Sequence, residues 1–207
     1  MRDRLISSRF FDLVSGADPA SHDPRARVSR SGGGKHTLRL QGGFPAGWCG
    51  RLSLGLSAAG VSIVRGFARR IGDSDWVAEL QVLAEDAAAD PASLDLLALA
   101  TAPPPAGPPA PITLDSYYVD GSPESGAHVF LEARGPDRVG FLGSLLERLA
   151  ALSLFPDQMS IETWNGHALD CFYLRSERPG GRLRAPEAAR ELSAMLDGLR
   201  APERAMA

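Results

Sequence analysis

The chain has 207 residues, a formal net charge of −3 at neutral pH and two cysteines. This length holds one large domain or two small ones, and the weakly acidic balance argues against nucleic acid or an anionic membrane as a partner. No apolar run reaches the roughly 18–20 residues of a membrane span, and the first residues lack the apolar segment of a secretory signal, so we expect a cytoplasmic protein.

The first 34 residues are expected to form an N-terminal segment and a flexible linker. Leu5–Val14 fits a short amphipathic helix and also tolerates a strand. Ser15–Gly34 is rich in Gly, Pro, Asp and Ser and has almost nothing apolar, which is typical of a linker. Its arginines 25, 27 and 30 offer the alternative of a phosphate-binding arm, which the acidic balance of the rest disfavours.

Residues 35–120 predict the element order β-α-β-β-α-β. Apolar residues alternate in the strand segments and recur at helical spacing in the helix segments. A proline-rich connector, Pro103–Pro111, cannot form a regular helix or a sheet interior. The predicted strands are 35–41, 61–68, 76–83 and 112–119, and the predicted helices are 48–59 and 91–100.

Residues 125–200 predict the same order without the last strand. Asn165-Gly166 marks a hairpin turn, and Pro186 opens the final helix. The predicted strands are 127–134, 155–163 and 168–174, and the first helix ends near Leu152. Either this repeat is truncated or another segment supplies its fourth strand, and Leu5–Val14 is one candidate.

A glycine frame relates the two segments. Gly42, Gly47 and Gly50 keep the spacing of Gly135, Gly140 and Gly143. An internal repeat of this kind, with the order β-α-β-β-α(-β), predicts an α+β protein of two ferredoxin-like repeats, with antiparallel sheets and helices on one face. The free sheet faces and edges must be covered or paired, so we expect a pseudo-twofold arrangement of the repeats or a homodimer.

The second repeat resembles an ACT domain. It reads Gly-Pro-Asp-Arg-Val-Gly-Phe-Leu at 135–142, followed by a helix and a hairpin that ends with 169–174. It is similar to the ACT repeats of the bacterial nitrogen-sensing uridylyltransferase and of stand-alone ACT regulators, in which the loop typically reads Asp-Arg-Pro-Gly-Leu-Leu. Val139 replaces the proline here, and the first repeat is degenerate, with Phe44-Pro45-Ala46 in place of the motif core. The resemblance covers about 35–200.

This resemblance implies a non-catalytic regulatory protein that binds a small metabolite, most often an amino acid, at an interface between ACT domains. We therefore expect the protein to bind a small-molecule ligand, to form a homodimer and to contact a protein partner. Glycines at a helix start expose backbone N–H groups, and the helix dipole there favours an α-carboxylate. Arg138 can pair with that carboxylate, whereas Asp137 can hold an α-ammonium or cap the helix.

The candidate ligand-binding residues follow from these two loops. They are Gly135, Asp137, Arg138, Val139, Gly140, Phe141 and Leu142 in the second repeat, and Gly42, Gly47 and Trp48 in the first. The alternative is that the glycines only permit close packing and that the two aromatic residues belong to the core.

No catalytic residue, metal site or cofactor is expected. Cys49 lies near a helix start, which lowers a thiol pKa, but no base accompanies it. Cys171 lies in a strand with an alternating pattern and is interpreted as a core residue. A disulfide between the two cysteines has no support. No Walker loop, nucleophile elbow or paired-carboxylate signature is present.

Three alternative functions share the predicted fold. One is a structural protein–protein pairing module with no ligand. A weaker one is an acylphosphatase-like hydrolase, whose first-loop arginine and strand asparagine are not reproduced by residues 42–51 and Asn165. RNA-recognition modules need exposed sheet aromatics with a basic surround, and this chain lacks that surround and the aromatic-glycine pattern.

Overall fold

A computed structural model describes residues 22–85, 89–103, 109–122, 128–178 and 183–201. Leu5–Val14 and the middle of the proline-rich connector lie outside the described residues. The strands are β1 (Arg25–Ser31), β2 (Lys35–Gly43), β3 (Val61–Ile71), β4 (Asp75–Ala84), β5 (Ser116–Asp120), β6 (His128–Pro136), β7 (Leu154–Trp164) and β8 (His167–Ser176). The α-helices are α1 (Trp48–Ala58), α2 (Leu96–Thr101), α3 (Phe141–Ala151) and α4 (Ala185–Asp197), and a short 3-10 helix spans Pro91–Ser93.

All eight strands belong to one antiparallel sheet, in the order β1-β2-β4-β3-β7-β8-β6-β5. Each half of this sheet has the strand arrangement of a ferredoxin-like unit, so the predicted α+β class with two such repeats is confirmed. The repeat is regular along the chain, because the bounds of β2, α1 and β3 recur with one constant offset in β6, α3 and β7.

The edge strand of each repeat differs from the expectation. Residues 25–31, expected in a linker, form β1 beside β2, and β5, expected to complete the first repeat, pairs with β6. Each repeat therefore runs β-β-α-β-β-α, with its edge strand first. Two strands joined by a short loop pair at a small cost in loop-closure entropy. This favours an edge strand that directly precedes its neighbour over one that follows the last helix of the repeat.

β5 thus occupies the place in the second repeat for which the sequence offers Leu5–Val14 as a candidate.

A second difference concerns the predicted helix 91–100, which divides into the 3-10 helix and α2. Asp90 accepts a hydrogen bond from the Ala92 N–H, and Asp95 accepts one from the Ala98 N–H. Each aspartate satisfies backbone donors at a helix start, and two starts within six residues interrupt the helix.

The core lies between the helices and one face of the sheet. In β8, Ala168, Phe172 and Leu174 are buried on that face, in alternation with half-buried residues on the other. Leu52 and Leu56, one helical turn apart on α1, are fully buried. Full burial of such a side chain contributes about 1.5–3 kcal/mol.

Cys171 lies half-buried on the opposite, helix-free face, so its assignment to the core is wrong. That face carries an aromatic row, in which the ring of Phe130 lies 6.2 Å from Tyr118 and 5.2 Å from Tyr173. Among the described residues, no helix is both long and apolar enough to cross a membrane.

The two repeats join edge to edge, as one form of the expected pseudo-twofold pairing. Arg65–Arg69 of β3 pairs with Gln158–Glu162 of β7, and α1 packs against α3 above this join. Glycines permit the close helix approach. A Cβ on Gly50 would lie 3.3 Å from Leu146 Cβ, and one on Gly143 would lie 2.9 Å from two atoms of the Leu54 side chain.

Gly143→Ala tests this helix contact. The added methyl would also lie 3.1 Å from the Leu54 backbone nitrogen, so the helices must separate. Overpacking costs about 1–3 kcal/mol, and the better helix propensity of alanine returns up to about 1 kcal/mol. We expect a lower free energy of unfolding in urea. Gly32→Ala is the control, because a Cβ there meets nothing within 4 Å. Equal midpoints for both variants would contradict the close contact.

Candidate functional site

Two pockets lie between the repeats, each beside the loop that leads into a long helix. The first pocket has a volume of about 360 Å³ and is formed by loop 44–47, the start of α1, α3 and the start of β7. The second pocket, of about 20 Å³, is formed by loop 137–140, the start of α3, α1 and the start of β3. Each element that forms the first pocket has its equivalent, in the other repeat, among the elements that form the second pocket. The pockets are therefore related by the pseudo-twofold axis, but they differ in size.

Both loops enter their helix through a glycine in the left-handed region. Gly47 has φ 77° and Gly140 has φ 89°, and each is the residue that precedes the first helical turn. Residues with a Cβ rarely adopt this conformation, which explains why both repeats have glycine at the middle position of the frame. No side chain caps either helix, so the cap role considered for Asp137 is wrong.

Aromatic rings form one wall of the first pocket. The ring of Trp48 lies 4.8 Å from Phe44 and 5.4 Å from Trp76, the latter edge to face. Phe155 of β7 lines the pocket from the second repeat. Offset and edge-to-face pairs of this kind are stabilising beyond their buried area, so the wall is a fixed apolar surface.

Arg51 brings a positive charge to the first pocket. Its Nε donates to the Ala100 carbonyl oxygen at 3.0 Å and its Nη2 to the Pro45 carbonyl oxygen at 3.4 Å, which holds the guanidinium beside the loop. Partial burial lowers the pKa of Arg51, but from a value so high that the side chain stays charged at neutral pH.

Glu147 brings a negative charge to the same pocket from α3. Its side chain is half-buried, and no hydrogen bond or ion pair engages its carboxylate in the part of the chain that the structure describes. Desolvation raises the pKa of Glu147, and the neighbouring Arg148 opposes this. A carboxylate with unused acceptor capacity beside an apolar wall is suited to an ammonium group.

A charge network fixes the rim of the first pocket across the two repeats. Arg70 of β3 donates to Asp157 at 3.2 Å and to Glu177 at 3.4 Å, and both acceptors belong to the second repeat. Asp157 also lies 3.0 Å from His128 Nε2 and 3.5 Å from Arg175 Nε. Arg70 and Glu177 themselves line the pocket, so the network connects its shape to the joint between the repeats.

The second pocket holds a buried acid. Asp170 is 1% exposed, and neither carboxylate oxygen has a hydrogen-bond partner of good geometry among the described residues. Burial raises the pKa of Asp170 to about 8, the charge of Asp137 adds to the rise, and the backbone of Glu162 opposes it. An unpaired buried carboxylate is costly, so the neutral form prevails at neutral pH.

The structure divides the predicted site residues between the two pockets. Gly47 and Trp48 line the first pocket. The second pocket is lined by Asp137, Arg138, Gly140, Phe141 and Leu142. The two aromatic residues, Trp48 and Phe141, are also part of the core, so both interpretations of them apply.

Three predicted residues line neither pocket. Val139 is 43% exposed on the loop. Gly42 and Gly135 instead permit close backbone packing, because a Cβ on either would lie within 2.6 Å of a carbonyl oxygen, that of Asp23 or Thr113 respectively. Both carbonyls come from the segment just before an edge strand, so these glycines seat β1 and β5.

Sequence reasoning missed several residues that form the pockets. They are Phe44, Arg51, Trp76, Glu147 and Asp170. Asp170 carries a recognisable signal, since an acid stands at an inward position of an alternating strand between Ala168 and Phe172. The others acquire their role only when the second repeat closes the pocket.

The cysteines and histidines do not gather into a metal site among the described residues. Cys49 is buried, and desolvation raises its pKa well above the usual thiol range, so a lowered pKa at the helix start is wrong. Both cysteines are free. Within residues 22–201, as far as they are described, no group of three or more His, Cys, Asp or Glu side chains could hold a metal ion.

Comparisons with known proteins give little further information. No protein-family model matches the chain, and no curated protein sequence matches it. One solved structure that matches is aspartate kinase from Synechocystis, with a TM-score of 0.46 and 18% identity over 80% of this chain. The match spans 27% of the kinase chain. This likeness assigns no activity and no site to the present protein.

Asp170 predicts an unusual dependence of stability on pH. Its carboxyl keeps a proton up to about pH 8 when folded but releases it near 3.8 when unfolded. Between these values only the unfolded state ionises, so stability falls as pH rises from about 4 to about 8 and then levels off. At about 1.4 kcal/mol per pKa unit, the loss amounts to several kcal/mol.

Asp170→Asn removes this titration, and we expect the variant to keep its free energy of unfolding from pH 5 to pH 8 better than the unmodified protein. Urea denaturation at both pH values measures the difference. Asp115→Asn, which alters an exposed carboxylate paired with His167, is the control. Parallel pH profiles for the unmodified protein and Asp170→Asn would contradict the buried neutral acid.

Proposed function

We propose that this protein is a non-catalytic regulatory protein that binds a small zwitterionic metabolite, in particular an amino acid, in the first pocket. The observation that carries the proposal is the pocket itself. Its volume of about 360 Å³ falls in the range of small-molecule sites, and it combines an apolar wall with charged groups of both signs. Such a combination matches a ligand with a carboxylate, an ammonium and a side chain.

Each part of the ligand has a counterpart in the pocket. Arg51 and the uncapped start of α1 favour the α-carboxylate, the former by charge and the latter by its backbone N–H groups and helix dipole. Glu147 on α3 favours the α-ammonium. The rings of Phe44, Trp48 and Phe155 then receive an apolar or aromatic side chain.

The location of the pocket supports a regulatory role. A ligand there would contact both repeats, because α1 belongs to the first and α3 and β7 to the second. Any ligand that binds the closed arrangement better than an open one shifts the equilibrium toward the closed one. The resemblance to ACT domains, which bind metabolites at domain interfaces, agrees with this mode of action. A change at the joint would then be transmitted to a second copy of the chain or to a partner protein.

A thermal-shift screen of the twenty amino acids, followed by calorimetry of any that raise the melting temperature, tests the proposal. Ligand that binds only the folded state stabilises it by mass action. We expect one amino acid, or a few related ones, to raise the melting temperature. Glu147→Gln should weaken that ligand about tenfold or more, because it removes a charged partner of the ammonium without changing the shape of the side chain.

Arg138→Ala is the matched control, because Arg138 belongs to the loop of the second pocket. Equal affinity in Arg138→Ala and lower affinity in Glu147→Gln would place the ligand in the first pocket. A loss confined to Arg138→Ala would place it at the second loop instead. No shift with any amino acid would contradict the proposal and would favour the pairing module without a ligand.

A further inference from the structure

We propose that the second pocket is a binding site for one small monovalent cation, with the Asp170 carboxylate as its charged ligand. The site is separate from the first pocket, and the proposal does not depend on what that pocket binds. Three observations carry it: the size of the cavity, the acceptor character of its walls and the unpartnered buried carboxylate.

The cavity has room for a single small body. A volume of about 20 Å³ exceeds the roughly 10–15 Å³ that one water needs, and it is too small for an amino acid. An ion that enters must leave nearly all of its hydration shell outside. A divalent ion loses more hydration free energy than a monovalent one when it leaves its water behind, and Mg²⁺ in particular dehydrates reluctantly, so the cavity suits Na⁺, K⁺ or ammonium better.

The hydroxyl groups on the α1 side of the cavity are available only as acceptors. Ser53 Oγ donates its hydrogen to the Cys49 carbonyl oxygen at 2.7 Å, and Ser57 Oγ donates to the Ser53 carbonyl oxygen at 2.7 Å. Their lone pairs remain for an occupant of the cavity. Thr163 and Ser62, two further residues with hydroxyl groups, also line the cavity. Hard oxygen atoms of this kind are the ligands that alkali cations and ammonium prefer.

Asp170 supplies the charge that such a cation requires. It is 1% exposed and lines the cavity, and neither oxygen has a hydrogen-bond partner of good geometry among the described residues, although the Glu162 backbone acts on it weakly. The other charged residues of the lining are Asp137 and Arg138. Asp137 adds negative charge, whereas Arg138 is exposed to solvent, so it does not neutralise the buried acid. A water in the cavity would leave an ionised Asp170 uncompensated, which a cation would not.

The first repeat has no acidic residue at the positions that correspond to Asp170 and Asp137. Ala78 pairs with Leu40 in the position where Asp170 pairs with Ala133, and Phe44 stands where the second loop has Asp137. The first pocket therefore has no counterpart of either Asp170 or Asp137. Asp170 and Asp137 both line the same small cavity, and the first repeat has no acid at either equivalent position, so the two related pockets favour ligands of different charge.

Proton and cation compete for Asp170 in this proposal, and the competition provides the test. The melting temperature of the complete chain is measured at pH 8.5 and constant ionic strength in the chlorides of Na⁺, K⁺, ammonium and choline. We expect at least one of the three small cations to raise it by about 2–4 °C above choline, which is too large for the cavity. The shift should shrink at pH 6.5, where the proton holds the site.

Asp170→Asn should abolish the cation-dependent shift, and Asp115→Asn, on the surface outside the cavity, should retain it. A readout on the unmodified protein is also available if Asp170→Asn fails to fold. Addition of the effective cation at pH 7.5 in weakly buffered solution should release up to about one proton per chain, because the cation displaces it from Asp170.

Two results would overturn the proposal. Equal melting temperatures in all four chlorides without proton release would show that the cavity takes water only. A shift that is as large in Asp170→Asn as in the unmodified protein would show that the cation acts elsewhere.

Discussion

The backbone pairing of β3 with β7 is the interaction on which both pockets depend. Five residue pairs, from Arg65 with Glu162 to Arg69 with Gln158, turn two four-stranded sheets into one. Each strand would otherwise present unpaired N–H and C=O groups at an edge, and pairing satisfies them within the chain. The same join sets α1 beside α3, and neither pocket has a complete wall without that contact.

The long helices serve both pockets at once. α1 presents Trp48 and Arg51 to the first pocket and Ser53 and Ser57 to the second. α3 does the reverse, with its first residues at the second pocket and Glu147 at the first. Because glycines bring the helices into close contact, a displacement of either helix changes the shape of both pockets.

The duplicated site has diverged through a small number of side chains. Trp76 and Ala168 occupy equivalent positions, since each pairs with the first glycine of its frame. The large ring belongs to the aromatic wall of the first pocket, whereas the methyl lies beside the buried Asp170 of the second. Arg51 likewise corresponds to Ser144, whose hydroxyl is buried without a partner among the described residues. A common backbone thus supports one roomy amphipathic pocket and one small acidic cavity.

Local sequence patterns predict much of the fold. Some patterns depend only on neighbours along the chain, such as the alternation in β2, the helical spacing in α1 and the repeated glycine frame. From these the sequence predicted most of the strands, the long helices and the internal repeat. It also located the two loops at which the pockets lie. It missed β1, because 25–31 has little apolar content. It predicted a strand at 112–119 but assigned it to the first repeat, because its composition suits either repeat.

The content of the pockets was decided by tertiary structure alone. Glu147 and Phe155 lie about a hundred residues from the loop that they face, and no pattern along the chain connects them with Arg51. Asp170 becomes a buried acid only because α1 and α3 close over its strand. Local spacing determines which side of an element a residue occupies, but the charge and volume of a pocket between two repeats depend on which sides are brought together.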